Sequence, residues 1–517
     1  MKLTKTWLYI TYLVLFVCLL SGSMLFNGCK SKKKSFLPTG DTIADGEKLV
    51  NAYCTKCHQL APADALTKDV WKFHTLPAMS HYLGLSTYGV DYFKKNPEDT
   101  TGISMVEWQA IAAYYNKLAP VTPEVPKRPA ALINDWAGFS LKKPAPVKNV
   151  TYTTMVAANP STHKIYSSDG VTGKLYEWDS ALKMRTVAQL PSAGVSANFI
   201  KDDKGTDIAI VSCIGQLQPM DFPDGKVVKI NLNEKSEISN PALISSELSR
   251  PVQAVSGDFN KDGLADWIIC GQGNKHGGVY LLTQKPDHSF TQSNVVDKAG
   301  SVQAQVGDFN NDGWQDLMVL FGTGDEGLWL FINDHKGGFT SRNLLRFPPV
   351  YGSTSFQLVD MNHDGKLDLI YTSGYNFRDS RILKPYHGLY IFMNQGDWNF
   401  KQSYFYPING CTKAIAADFD GDGDVDIATI AFFADLKSNP AEGFIYFEQD
   451  KSMSFKPHAI PVSNYGRWMS MDTIGNKHGK PDIVLGNYST GFPIQQLKPF
   501  WDKHLPLIVL ENHTKSR

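Results

Sequence analysis

The stretch Gly257-Asp258-Phe259-Asn260-Lys261-Asp262-Gly263-Leu264-Ala265-Asp266, with the apolar run Trp267-Ile268-Ile269 behind it, decides how this chain is read. It recurs as Asp308-Phe309-Asn310-Asn311-Asp312-Gly313-Trp314-Gln315-Asp316 and as Asp360-Met361-Asn362-His363-Asp364-Gly365-Lys366-Leu367-Asp368. A fourth copy is Asp418-Phe419-Asp420-Gly421-Asp422-Gly423-Asp424-Val425-Asp426. The first acids stand 50, 52 and 58 residues apart, a period that suits a four-stranded propeller blade. Fainter copies lie at 198–207 and 472–482, and 153–178 reads as an opening blade without the acid loop. Seven blades over residues 149–512 take about 52 residues each, in keeping with such repeats.

The acid loop has its own chemistry. In D-x-[DN]-x-D-G-x-x-D, side-chain oxygens at positions 1, 3, 5 and 9 and the carbonyl at 7 converge on one Ca²⁺, while Gly at 6 permits the sharp turn. The candidate calcium ligands are therefore Asp258, Asn260, Asp262, Leu264 and Asp266, then Asp308, Asn310, Asp312, Trp314 and Asp316. They continue as Asp360, Asn362, Asp364, Lys366 and Asp368, then Asp418, Asp420, Asp422, Asp424 and Asp426, for four ions in all. The competing reading is a set of Asx-rich turns that need no metal. Lys201 replaces an oxygen in blade two, and Lys477, Gly479 and Pro481 crowd a lengthened loop in blade seven, so no ion is expected in either. The repeats resemble the FG-GAP and VCBS family, whose members fold as β-propellers, the integrin α-subunit head among them. That resemblance implies an all-β seven-bladed propeller.

Upstream, Cys54-Thr55-Lys56-Cys57-His58 is C-x-x-C-H. Two thiols three apart on one helical turn reach two vinyl groups of one haem, and the adjacent His points its imidazole at the iron. A thioredoxin-like pair or half a zinc site fits less well, because no second Cys pair is in reach and no βαβ pattern surrounds the motif. Residues 41–50 read as a capped helix entering the motif, and 104–118 has the apolar period of a second helix. Over residues 41–120 this layout resembles the small single-haem cytochromes c. The resemblance implies a small all-α domain with one covalent haem c on Cys54 and Cys57, His58 as proximal iron ligand and Met79 as distal ligand. Met105, His74 and His81 are the rivals for that sixth position.

The first residues read as an export signal. Lys2 and Lys5 precede an apolar run from Trp7 to Phe26 that ends at Gly28-Cys29. A small residue before Cys resembles the lipobox of bacterial lipoproteins, which implies cleavage after residue 28, lipid attachment at Cys29 and a tether over 29–40. An uncleaved signal anchor is the competing reading. Either expectation places the rest of the chain outside the inner membrane of a bacterial cell, anchored on its periplasmic or outer-membrane side. Pro-rich 121–148 reads as a linker between the two bodies.

Lys plus Arg (51) balance Asp plus Glu (51) among 517 residues, which removes the electrostatic motive for binding nucleic acid. The B–C loops at 214–225, 373–387, 432–442 and 487–506 are long and share one face of the disc, as binding faces do. That face presents Arg378, Arg381 and the neighbouring Arg467, with Tyr375, Tyr386, Asp435, Trp501 and Lys503, to a small molecule or glycan, or seats the cytochrome domain. Three functions follow: an electron-transfer protein that meets a redox partner, a dehydrogenase whose propeller binds an organic substrate and passes electrons to the haem, and an adhesion module. No catalytic side chain is assigned, and Cys213, Cys270 and Cys411 read as buried thiols, with a Cys213–Cys270 disulfide as the alternative.

Overall fold

The computed structural model describes residues 36–85, 102–202, 204–232, 238–376, 382–450, 453–489 and 501–515, the side chain of His81 apart. The export signal, Cys29, Arg378 and Arg381 lie outside the described residues. Among the described residues no helix is long and apolar enough to cross a membrane.

The described strands form seven four-stranded antiparallel sheets. Their first strands, Thr153–Asn159, Gly194–Lys201, Pro251–Gly257, Ser301–Gly307, Ser353–Val359, Cys411–Ala417 and Trp468–Gly475, pack side by side around a central axis. This is the seven-bladed propeller. The second strands Asp266–Gly271, Asp316–Phe321, Asp368–Ser373 and Asp426–Ala431 are buried at every residue. Each lies in the middle of a blade sandwiched between two neighbours, which is why these strands read as continuous apolar runs instead of alternating ones. Every acid loop joins the first strand of its blade to the second.

The expected linker is corrected in part. Phe139–Lys142 pairs antiparallel with Leu507–Asn512, Phe139 opposite Asn512, and is the outermost strand of blade seven. Four residues set among prolines carry too few alternations to register as a strand. The ring is thus closed by both sides of the chain, and Phe139 fills the core between blades six and seven against Phe419 and Tyr446.

Ahead of the ring stands a small helical unit. Asp41 caps the helix Thr42–Tyr53 by accepting from the Ile43 and Ala44 N–H groups, and Ser104 with Glu107 makes a capping box on Met105–Leu118. The two helices cross at Gly46, where a Cβ would overlap the Tyr114 side chain. Leu49, Val50, Trp71, Trp108, Ile111 and Tyr115 form the core beneath the crossing. Gly46→Val is therefore expected to destabilise the unit by about 1–3 kcal/mol through overpacking, read by urea unfolding; wild-type stability would mean that the crossing is loose.

The same core includes Val350, Tyr351, Ile382 and Tyr386 of the propeller. Tyr386 donates its hydroxyl to the Ala65 carbonyl at 3.1 Å, and the Lys275 ammonium lies 5.3 Å from the Tyr82 ring centroid. The helical unit sits on the B–C loop face, over blades three to five.

Candidate functional site

Cys54 closes the helix Thr42–Tyr53 and starts the tight turn Cys54–Lys56, which carries the chain to exposed Cys57 and half-buried His58. Neither cysteine is in a disulfide. Burial, helped by Cys57, pushes the Cys54 thiol up to about 11, the opposite of the depressed value that marks a redox-active thiolate. His58 donates from Nδ1 to the Gln59 carbonyl at 2.7 Å. A carbonyl only accepts, so the proton is on Nδ1 and the Nε2 lone pair is left for a metal. Met79 lies in the helix Leu76–Tyr82, partly buried against the core that Cys54 also touches; Met105 packs there too, while His74 is exposed. Trp71 donates to Ala63 and Tyr115 to Ala61, pinning the segment between the motif and Met79. Cys54 and Met79 pack on one core, while Cys57 is exposed and His58 half-buried beside Cys54; two uncrosslinked thiols, an oriented imidazole and a thioether are by their chemistry a donor set that fits a covalent haem.

The first three acid loops share one geometry. The position-5 N–H donates to Oδ1 of position 1, the Gly N–H to its Oδ2, and the position-7 N–H to Oδ1 of position 5. Gly263, Gly313 and Gly365 take φ of +82°, +82° and +81°, which side chains with a Cβ rarely adopt. Side chains of the protein reach the position-5 acids of all three loops: Asn260 donates to Asp262 at 2.9 Å, Asn310 donates to Asp312 at 2.7 Å with His335 also 2.9 Å from it, and Lys366 donates to Asp364 at 2.8 Å. The loop at 418–426 differs, because Asp420 stands where the others have Asn. There, carboxylate oxygens of Asp418, Asp420 and Asp426 lie within 4.8 Å of one another. Burial and the neighbouring acids push Asp420 up to about 6, and burial with the Asp420 charge pushes Asp426 up to about 7. A divalent cation would relieve that crowding.

The ninth acids have a second role that the repeat pattern did not suggest. Asp266, Asp316, Asp368 and Asp426 are wholly buried, and each accepts on Oδ2 from the N–H of position 2, at 3.0–3.1 Å. Each also accepts on Oδ1 from the last residue of the third strand, Gln284, Asn333, Asn394 or Gln449, at 2.8–2.9 Å. They latch the loop to the body of its own blade. The adjacent blades are joined at the same place: Asn333, Trp398 and Asn512 donate to the carbonyls of Phe259, Phe309 and Phe419 in the preceding blade. Deeper in the ring, Gln253, Gln303 and Gln357 accept from Ala304, Phe356 and Ala416 across successive blade boundaries.

The expected ligand face is corrected at Arg467, while Arg378 and Arg381 lie outside the described residues. Arg467 is only 4% exposed, its guanidinium stacks 3.6 Å from the Phe432 ring centroid and donates to the Phe432 carbonyl, so it is a packing residue. Trp501 is buried and donates to Ser463, Asp435 accepts from Ser438 and Asn439, and Tyr386 holds the helical unit. Cys213, Cys270 and Cys411 are buried free thiols, and no Cys213–Cys270 disulfide forms.

The FG-GAP-like repeat family matches residues 258–319 and again 308–371, three successive acid loops. The chain carries FG-GAP-like repeats. No curated protein matches it. Among solved structures it is similar to an ancestral GH74 enzyme, at 9% identity and a TM-score of 0.47 over 73% of this chain and 52% of that one, about half its length. It is also similar to virginiamycin B lyase from Staphylococcus aureus, at 11% identity and a TM-score of 0.44 over 72% and 98%. A streptogramin B lyase aligns at 9% identity and a TM-score of 0.45 over 73% and 98%.

Proposed function

We propose that this is an exported, lipid-anchored haem c electron-transfer protein whose calcium-stabilised propeller holds the haem unit and docks its redox partner. The observation that carries the reading is the His58 imidazole, oriented by its Nδ1–H bond so that Nε2 is available one residue after the second thiol of the pair. When bound, haem c supplies reversible one-electron transfer at its iron. Cys54 and Cys57 would anchor the macrocycle, and the His58 imidazole and the Met79 thioether would hold its iron, favouring the reduced form. Trp71, Trp108 and Tyr115 keep water from the core on which the group would lie. The test is a visible spectrum of the chain matured in a host that attaches haem c. Absorption bands that sharpen on reduction are expected; a colourless protein overturns the reading.

A second reading is favoured by the seat of the helical unit on the B–C loop face. There, an organic substrate bound by the propeller would pass electrons to the haem, and substrate-dependent bleaching or sharpening of its bands separates the two.

Calcium belongs to the same proposal, with the 418–426 loop as the strongest of four sites. Chelation should lower the melting temperature, and calcium should restore it; a site held at a hundredfold excess over Kd contributes about 3 kcal/mol. Melting indifferent to chelator would make the loops metal-free Asx turns.

A further inference from the structure

We propose that the cleft between blades four and five, on the acid-loop side of the ring, binds a neutral saccharide. The cleft has a volume of about 1150 Å³ and runs from the acid loops of these blades inward to the first strands of blades three and four. The helical unit sits on the opposite face, so this site is separate from it.

Three glutamines on its wall offer donors. Gln253, Gln303 and Gln305 accept on Oε1 from the N–H groups of Ala304, Phe356 and Leu358 in the following blade, at 2.6, 3.0 and 3.3 Å. A backbone N–H only donates, so each amide is held with its oxygen on the neighbouring strand and its NH2 group turned from that contact. None of the three Nε2 atoms donates to another group among the described residues, and none is sealed from solvent. The fold does not force this. Gln357, at the next blade boundary, spends both ends of its amide, accepting from the Ala416 N–H and donating to the Ala416 carbonyl.

The charges at the mouth are matched. Of the two cations that line it, Arg342 of blade four pairs with Asp397 of blade five at 3.3 Å, and Lys366 pairs with Asp364 at 2.8 Å. An oxyanion therefore finds no spare positive charge here. A hydroxyl finds both of its partners: it accepts from a glutamine Nε2 and donates to the Asp397 carboxylate, which is largely exposed. Beside that carboxylate the backbone is strained, with Asp397 and Trp398 taking φ of +50° and +57° in succession. The strain sets an aromatic ring next to the charged pair, and because the Trp398 Nε1–H is spent on the Phe309 carbonyl, the ring has only apolar surface to give. With Leu330, Ile332 and Leu358 it supplies a wall for the C–H faces of a sugar. The volume lies just above the usual range of small-molecule sites and suits two rings better than one.

The test is calorimetric titration of the full chain with maltose, cellobiose, lactose and glucose, and with sulfate as the charged control. Saturable binding of at least one disaccharide, tighter than glucose, and none of sulfate is expected. Gln303→Glu keeps an oxygen to accept from Phe356 but removes the open donor, and should weaken binding at least tenfold. Arg342→Ala, on an exposed position of the outer strand, should weaken it at least threefold and decides alone if Gln303→Glu does not fold. No heat with any of the sugars, sulfate binding in their place, or unchanged affinity in the folded variants overturns the proposal. The readout is binding, so it stands or falls apart from haem attachment.

Discussion

Replacing Cys54 and Cys57 together by serine is expected to abolish covalent haem, leaving a colourless chain lighter by one haem in mass spectrometry. Each single variant should keep one thioether, and His58→Ala should keep the attached mass but lose the proximal ligand and its spectrum. The effect is all-or-none because thioether bonds, unlike axial ligation, do not re-form from the other ligands. The propeller should be indifferent: its seven sheets share no strand with the helical unit, and the contacts between them run through Lys275, Val350, Tyr351, Ile382 and Tyr386. A double-serine chain that still carries a covalent haem would refute the assignment of Cys54 and Cys57.

Asp426→Ala should be the most destabilising change in the acid loops. Its carboxylate accepts from the Phe419 N–H, the Gln449 N–H and the Tyr446 hydroxyl, all buried. Truncation strands three donors, and at about 1–3 kcal/mol each, with partial relaxation, the loss should come to about 3–6 kcal/mol. Asp426→Asn keeps one accepting oxygen and should fall between. Asp424→Ala in the same loop, whose side chain is partly solvated, should change stability by less than about 0.5 kcal/mol. Urea unfolding in chelator separates the latch from the ion: Asp426→Ala must still destabilise there. If its whole effect vanished without calcium, the residue would be a metal ligand and nothing more.

What could be read in advance follows from how local each signal is. The blades were legible because Asp, Asn and Gly at fixed short spacings are demanded by the loop itself, and the apolar run behind Asp266 or Asp426 by the strand it enters. The C-x-x-C-H motif is five consecutive residues. The closing strand Phe139–Lys142 was not legible, since its partner Leu507–Asn512 is the far end of the chain. Gln253, Gln303 and Gln357 look like ordinary surface glutamines until the neighbouring blade brings up an unpaired N–H. Arg467 read as a ligand-gripping cation because arginine usually stays wet; Phe432 from another blade buries it.

The pairing of Phe139 with Asn512 also sets the order in which the molecule can be finished. A ribosome releases residue 139 early and residue 512 almost last, so the outer edge of blade seven waits, without its partner, until nearly all of the ring has been made. Protease scission tells the two sides of the strand Phe139–Lys142 apart. A nick ahead of Phe139 cuts the covalent link to the helical unit and leaves a closed ring, whereas one just beyond Lys142 leaves the outermost strand of blade seven on a peptide no longer joined to the ring.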